Sequence, residues 1–112
     1  MEITEEKLAE LLNRSTTLNL QYTDLTEADL RGANMKGANL FKANLENANL
    51  DGADLSGATL YKANLMSANL TGANLTDANL AGANLERAHL EGANLKNAKL
   101  KGAIMPDGTV HE

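Results

Sequence analysis

Residues 28–107 read ADLRG ANMKG ANLFK ANLEN ANLDG ADLSG ATLYK ANLMS ANLTG ANLTD ANLAG ANLER AHLEG ANLKN AKLKG AIMPD. These are sixteen consecutive five-residue units with Ala first and Leu third, Met replacing Leu at Met35 and Met105. A period of five suits neither regular element. In an α-helix five residues advance about 500°, a net 140° or so, and leucines at that spacing smear around the axis. In a strand an odd spacing throws successive leucines to opposite faces. The period suits a chain that turns a corner after every unit. With corners of about 90°, four units close one square coil, every third-slot side chain can point to a common axis, and coils about 4.8 Å apart pair backbone with backbone. Phe41-Lys42 and Tyr61-Lys62 occupy the same slots twenty residues apart, which supports four units per coil. Units that cannot bury their apolar side alone stack into a solenoid.

The slots divide the work. Small first-slot residues such as Ala33, Ala38 and Ala43 permit a narrow tower, and Leu40, Leu45, Leu50 and their relatives fill what is left. Burying each Leu is worth roughly 1.5–3 kcal/mol. Gly recurs in the fifth slot, at Gly32, Gly52 and Gly72 among others, as a corner with positive φ at the third residue of a type II turn requires. Lys42 and Lys62 stand in the same slot and predict a different turn at some corners. Second-slot Asn and Asp can bond nearby backbone at the corners, and stacked Asn ladders down each edge are expected.

On these units the chain resembles the pentapeptide repeat proteins, the family of tandem A-[DN]-L-x-x units, over roughly four fifths of its length. The resemblance implies an all-β solenoid, a right-handed quadrilateral parallel β-helix, with first-slot Ala and central Leu inward and the other slots outward or at the corners. Most members have no established activity, and bacterial genomes, cyanobacterial ones notably, carry many.

Composition narrows the function further. The 112 residues make one domain, with almost no aromatics, one Pro, no Trp and no Cys. Without Cys there is no disulfide, thiolate nucleophile or Cys-ligated metal. The formal charge of -5 opposes direct nucleic-acid binding, which wants a basic surface. No apolar run has signal-peptide or membrane-span length, so a soluble cytoplasmic protein without membrane contact is expected. His89 replaces a second-slot Asn and His111 lies in the tail, so neither gives zinc-ligand spacing. The Asp and Asn recur at the period of the fold and not at calcium-loop spacing. No G-x-S-x-G, P-loop or dinucleotide fingerprint is present, and a square tower offers no cleft for paired carboxylates. The reading is a non-enzyme with no cofactor, metal or catalytic residue.

Residues 1–17 form a capping helix and linker. The helix is expected over 3–14, with Thr4 as N-cap, Glu5 and Glu6 in the first turn, Ile3 and Leu8 as a hydrophobic staple, Leu8, Leu11 and Leu12 as an apolar stripe, and Arg14 in the last turn. The stripe would cover the open first coil, although an amphipathic helix can also bind a partner. The β-helix spans 18–107, including two degenerate units with Leu18 and Thr23 in the Ala slot, for eighteen units or four and a half coils. Residues 108–112 are a C-terminal tail. Pro106-Asp107-Gly108 signals a turn, and Val110 falls in the inward slot, which would lay the tail across the last coil. An end left bare could stack on a second copy, so the protein is expected as a monomer or an end-to-end homodimer.

Sorting the units by four gives four outward columns. The first, through Leu20, Leu40, Leu60, Leu80 and Leu100, holds Tyr22, Phe41 and Tyr61, all three aromatics of the chain. It also holds Lys42, Lys62, Lys99 and Lys101 and no acid, a net +4. The second column carries Asp24, Glu27, Glu46, Glu86 and Asp107 against Arg87, a net -4. The third nets -2 and the fourth is balanced. The candidate interaction face is therefore Tyr22, Phe41, Lys42, Tyr61, Lys62, Lys99 and Lys101, facing an unidentified acidic protein partner. Stacked rings would also stabilise neighbouring coils. The first functional reading is a structural or protein-interaction module. The alternative is a DNA mimic that binds a type II topoisomerase, as the gyrase-protecting members of the family do. Those are longer, dimerise, and often carry loop insertions and Phe at the central slot. This sequence is short, lacks an insertion and a central Phe, and has a positive face.

Overall fold

The computed structural model describes residues 4–13 and 18–112, the Leu11 side chain excepted. From Asn19 onward the chain is a stack of square coils. Asn19 pairs with Asn39, Asn39 with Thr59, Thr59 with Asn79 and Asn79 with Lys99, every bridge parallel and twenty residues on. The other three edges run in the same register from Asp24 to Ile104, Asp29 to His89 and Asn34 to Asn94. Four five-residue sides thus make one coil, and the outward columns sorted from the sequence are real neighbours.

The unit explains itself through its five N–H groups, taken here at Ala48–Gly52. The Ala48 N–H closes the preceding corner on the Leu45 carbonyl at 2.9 Å. Asn49 N–H reaches back one coil to the Ala28 carbonyl at 2.9 Å, and Leu50 N–H reaches forward to Asn69 at 2.7 Å. Asp51 N–H donates to the Asn49 Oδ1 at 3.1 Å. Gly52 N–H reaches forward to Thr71 at 2.9 Å. All five backbone donors of this unit are satisfied, as a chain stacked on both sides requires. Only the fourth depends on a side chain, which is the physical reason for Asn or Asp in the second slot. The departure at Ile104 fits the same rule. Its fourth-slot residue is Pro106, which has no N–H to satisfy. Among the described residues one Asn–Asn bond joins successive coils, Asn69 Nδ2 to Asn49 Oδ1 at 3.4 Å. The expected Asn ladder is therefore a column of corner locks more than a chain of side-chain bonds.

The corners correct one expectation. Lys42 and Lys62 do not use a different turn. Their φ values are 54° and 58°, against 68° at both Gly52 and Gly57, and Ser67, Arg87 and Asn97 are also left-handed. No fourth-slot residue has positive φ, so the corners share the type II pattern. The left-handed region costs a side-chain-bearing residue about 1–2 kcal/mol. The square coil imposes it because a corner of another geometry would break the twenty-residue register.

The core is a column of leucines, with all third-slot residues from Leu40 to Leu85 0% exposed. Thr23, in an Ala slot, is buried and donates its hydroxyl to the Gln21 carbonyl at 3.4 Å. The described helix, α1, spans Glu5–Leu12, shorter than the expected 3–14. Ile3 and Arg14 lie outside the described residues. Thr4 Oγ1 accepts the Lys7 N–H at 3.1 Å, as an N-cap should. Leu8 is buried within the core cluster and Leu12 packs against it. Below α1 the first-coil Leu25, Leu30 and Met35 are each 1% exposed.

The other end differs. Leu90, Leu95 and Leu100 are only partly buried. The chain turns at Met105–Gly108, where Gly108 (φ 87°) donates to the Met105 carbonyl at 2.8 Å, and runs back antiparallel so that Val110 pairs with Ile104. This hairpin overturns the inward placement of Val110. Residues opposite each other in a ladder share a face. Ile104 is an outward-slot residue, and Val110 is 61% exposed.

Candidate functional site

The seven residues of the candidate face gather along one column, because its edge runs through Asn19, Asn39, Thr59, Asn79 and Lys99. The fourth slots of successive coils hold Phe41, Tyr61, Ala81 and Lys101, and the fifth slots Tyr22, Lys42, Lys62, Gly82 and Gly102. Phe41 and Tyr61 stack nearly parallel, with centroids 5.7 Å apart and planes 10° from coplanar directions. Tyr22 meets Phe41 edge-on at 5.4 Å and 81°. Lys42 Nζ lies 5.5 Å from the Phe41 centroid, and Lys62 Nζ 5.3 Å from that of Tyr61, within cation–π range. Tyr22 is 56% exposed and Tyr61 37%, so the ring stack is a surface and not a core. Lys99 and Lys101 lie exposed on the last coil, beyond the rings.

The column has a second property. Thr59 and Lys99 stand where Asn locks other corners. Elsewhere on this edge Phe41 N–H donates to Asn39 Oδ1 and Ala81 N–H to Asn79 Oδ1, both at 3.1 Å. The N–H groups of Tyr61 and Lys101 have no such bond among the described residues. The signal was readable in advance as two substitutions in the second slot of one column, Thr59 and Lys99.

Elsewhere several carboxylates are tied to neighbours two residues on. Asp29 receives Arg31 Nε and a terminal guanidinium nitrogen, both at 2.8 Å, and that pairing holds its carboxyl below the ordinary range. Asp54 accepts the Ser56 hydroxyl at 2.7 Å and the Ser56 N–H at 3.0 Å, which lower it against the opposing effect of burial. Asp107 is lowered in the same way by the Thr109 hydroxyl and N–H. These carboxylates lock corners. His89 lies 3.8 Å from Glu91 on an exposed face. Among the described residues no cluster of His, Cys, Asp or Glu is placed to hold a metal ion, and no helix is long and apolar enough to cross a membrane. A groove of about 590 Å³ runs between α1 and the first coil, with Leu8, Leu12 and Ala28 in its lining and Glu5, Asp24 and Glu27 among its acids.

The geometry defines a square parallel β-solenoid that carries its chemistry on the outside. The family model for pentapeptide repeats matches over 18–47, 38–77 and 68–105, and the chain belongs to that family. A pentapeptide repeat protein from the thylakoid lumen of Arabidopsis thaliana is 31% identical, with 85% of this chain and 66% of that one covered and a TM-score of 0.78. HetL, a pentapeptide repeat protein involved in heterocyst differentiation regulation in the cyanobacterium Nostoc, is 34% identical over 86% of this chain and 63% of its own, with a TM-score of 0.45. QnrB1, a plasmid-mediated fluoroquinolone resistance protein, is 24% identical over 70% of this chain and 50% of its own, with a TM-score of 0.36. The chain thus spans less than two thirds of the length of each of these structures. No curated protein is significantly similar in sequence. The family fold supplies the hand of the coil, a right-handed quadrilateral β-helix.

Proposed function

We propose that the protein is a non-enzymatic interaction module whose contact surface is the aromatic–lysine column and whose partner is an acidic protein segment. The observation that carries this is the concentration on one edge of every aromatic ring and a net charge of +4, on a chain whose formal charge is -5. Rings held in place by stacking are contact surface at small entropic cost, and cations beside them favour carboxylates. The tower is the rigid support that keeps them in register. In this reading α1 is the cap of the first coil, which lets the coils stack without an open N-terminal edge.

The lysine column speaks against the topoisomerase-directed alternative. A mimic of duplex DNA needs negative charge along its length, and one of the four faces here is wholly cationic.

The test is affinity capture from a cell extract with the wild type beside Phe41→Ala/Tyr61→Ala. The variant is expected to fold, since neither ring belongs to the leucine column, and to lose its partners. Retention of every partner by a folded variant sinks the proposal. A DNA gyrase supercoiling assay is expected to show no inhibition.

A further inference from the structure

The ring stack stops one coil before the lysines resume. Phe41 and Tyr61 are parallel in successive fourth slots, and the next fourth slot is Ala81, beside Gly82. A Cβ at Gly82 would meet one atom within 4 Å, Lys62 Cγ at 3.2 Å. The shelf beyond Tyr61 therefore holds the stem of an exposed lysine and no other side chain close to Gly82. Lys101, exposed, holds the fourth slot of the following coil. The Tyr61 and Lys101 N–H groups on either side are the two on this edge without the corner bond. The shelf is thus flanked by two ammonium groups, two backbone N–H groups free of the corner bond and the Tyr61 hydroxyl, and no carboxylate stands in its column.

We propose that this shelf receives one aromatic side chain of an acidic peptide segment, which continues the Phe41–Tyr61 stack while its flanking carboxylates pair with Lys62 and Lys101. The inference rests on the interaction-module reading and names its ligand. Coil spacing is about 4.8 Å, so a ring resting on Ala81 takes the position that a third stacked side chain would have. Lys62 must swing off the shelf to admit it, and its ammonium then meets a carboxylate at the rim. A single-stranded nucleic acid also offers flat rings and negative charge. It is disfavoured because the cationic strip is one column wide and the adjoining column nets -4, which a phosphate backbone leaving the strip would meet.

The chain has no Trp, so a tryptophan in the ligand reports binding directly. The probes are a nonapeptide of eight glutamates around a central Trp, the same peptide with central Ala carrying an extrinsic dye, and an oligothymidylate. The Trp peptide is expected to bind about fivefold to tenfold more tightly than the Ala peptide, the factor expected of one aromatic pair. Ala81→Phe fills the shelf from within and should reduce the Trp peptide to the level of the Ala peptide. Should that variant misfold, Ala81→Glu tests the same point by charge and should abolish binding of both. Equal binding of the two peptides, or an unchanged Trp advantage in a folded shelf variant, overturns the proposal. If both bind equally and Phe41→Ala/Tyr61→Ala abolishes both, the shelf is lost and the interaction face stands. If neither peptide binds, the shelf and the acidic-partner reading both fall. Tighter binding of oligothymidylate overturns the peptide assignment in favour of nucleic acid.

Discussion

The middle coils and the last coil are built from the same unit and end in different states. Leu60 is 0% exposed, with its N–H on the Asn79 carbonyl at 2.7 Å. Leu95 is partly buried, and its N–H has no backbone partner among the described residues. ATLYK and ANLKN both place Ala first and Leu third, so the inward residues do not distinguish the two units. The difference lies in having a coil on one side or on both. Burial and pairing in this fold belong to neighbours and not to residues, as expected of a quasi-one-dimensional array.

The largest effect that tests this is truncation of the core. Leu60→Ala removes atoms packed on all sides and should cost about 3–4 kcal/mol, within the range measured for buried leucines. Leu95→Ala should cost about half as much, because its surroundings already open to water. Urea unfolding of the two variants gives the comparison, and equal losses would show that the last coil is covered in solution. Hydrogen exchange should agree, with Leu95 N–H exchanging far faster than Leu60 N–H.

A smaller effect concerns the corners. Gly52 and Ser67 both have positive φ, 68° and 59°. Gly52→Ala places a Cβ in open space, with nothing within 4 Å, yet should destabilise by about 1–2 kcal/mol through backbone strain alone. Ser67→Gly should relieve strain, though added chain entropy in the unfolded state offsets part of the gain, leaving at most about 1 kcal/mol. At the end of the tower Gly108→Ala should cost a similar amount locally and appear mainly as faster exchange of Gly102 N–H, which the hairpin protects through the His111 carbonyl at 2.8 Å. A large change in global unfolding for Gly108→Ala would mean that the tail holds the tower shut.

How much of this was legible follows from what the period encodes. The five-residue spacing with inward Leu fixes the square coil, and twenty residues between Phe41 and Tyr61 foretell the stacked pair. Slot identity does not encode what the coil imposes on a residue. Lys42 and Lys62 look wrong for a left-handed corner and adopt it because the register allows no other turn. Val110 keeps the spacing of an inward residue, but Gly108 turns the chain back on itself and the ladder decides its face. The shelf was legible only in part. Ala81 and Gly82 read as ordinary small residues until the neighbouring ring stack gives their small size a meaning.

The smallest effect separates the two regions by pH. Asp54 in the middle and Asp107 at the end each hold a corner as carboxylates, both below their ordinary range, first because of a neighbouring hydroxyl and then a backbone N–H. A carboxyl depressed in the folded state contributes stability above its unfolded pKa and loses it as pH falls through the folded one. Both contributions should therefore be present at neutral pH and fade below the ordinary carboxylate range. Asn keeps the accepting oxygen and cannot titrate. Asp54→Asn should therefore flatten the acid limb of global unfolding and lower neutral-pH stability by the part that the charge supplied. Asp107→Asn should leave that limb alone and alter only acid-dependent exchange in the 105–111 hairpin. If both substitutions move global unfolding alike, the end of the tower unfolds together with its middle, and the open last coil is as cooperative as the sealed ones.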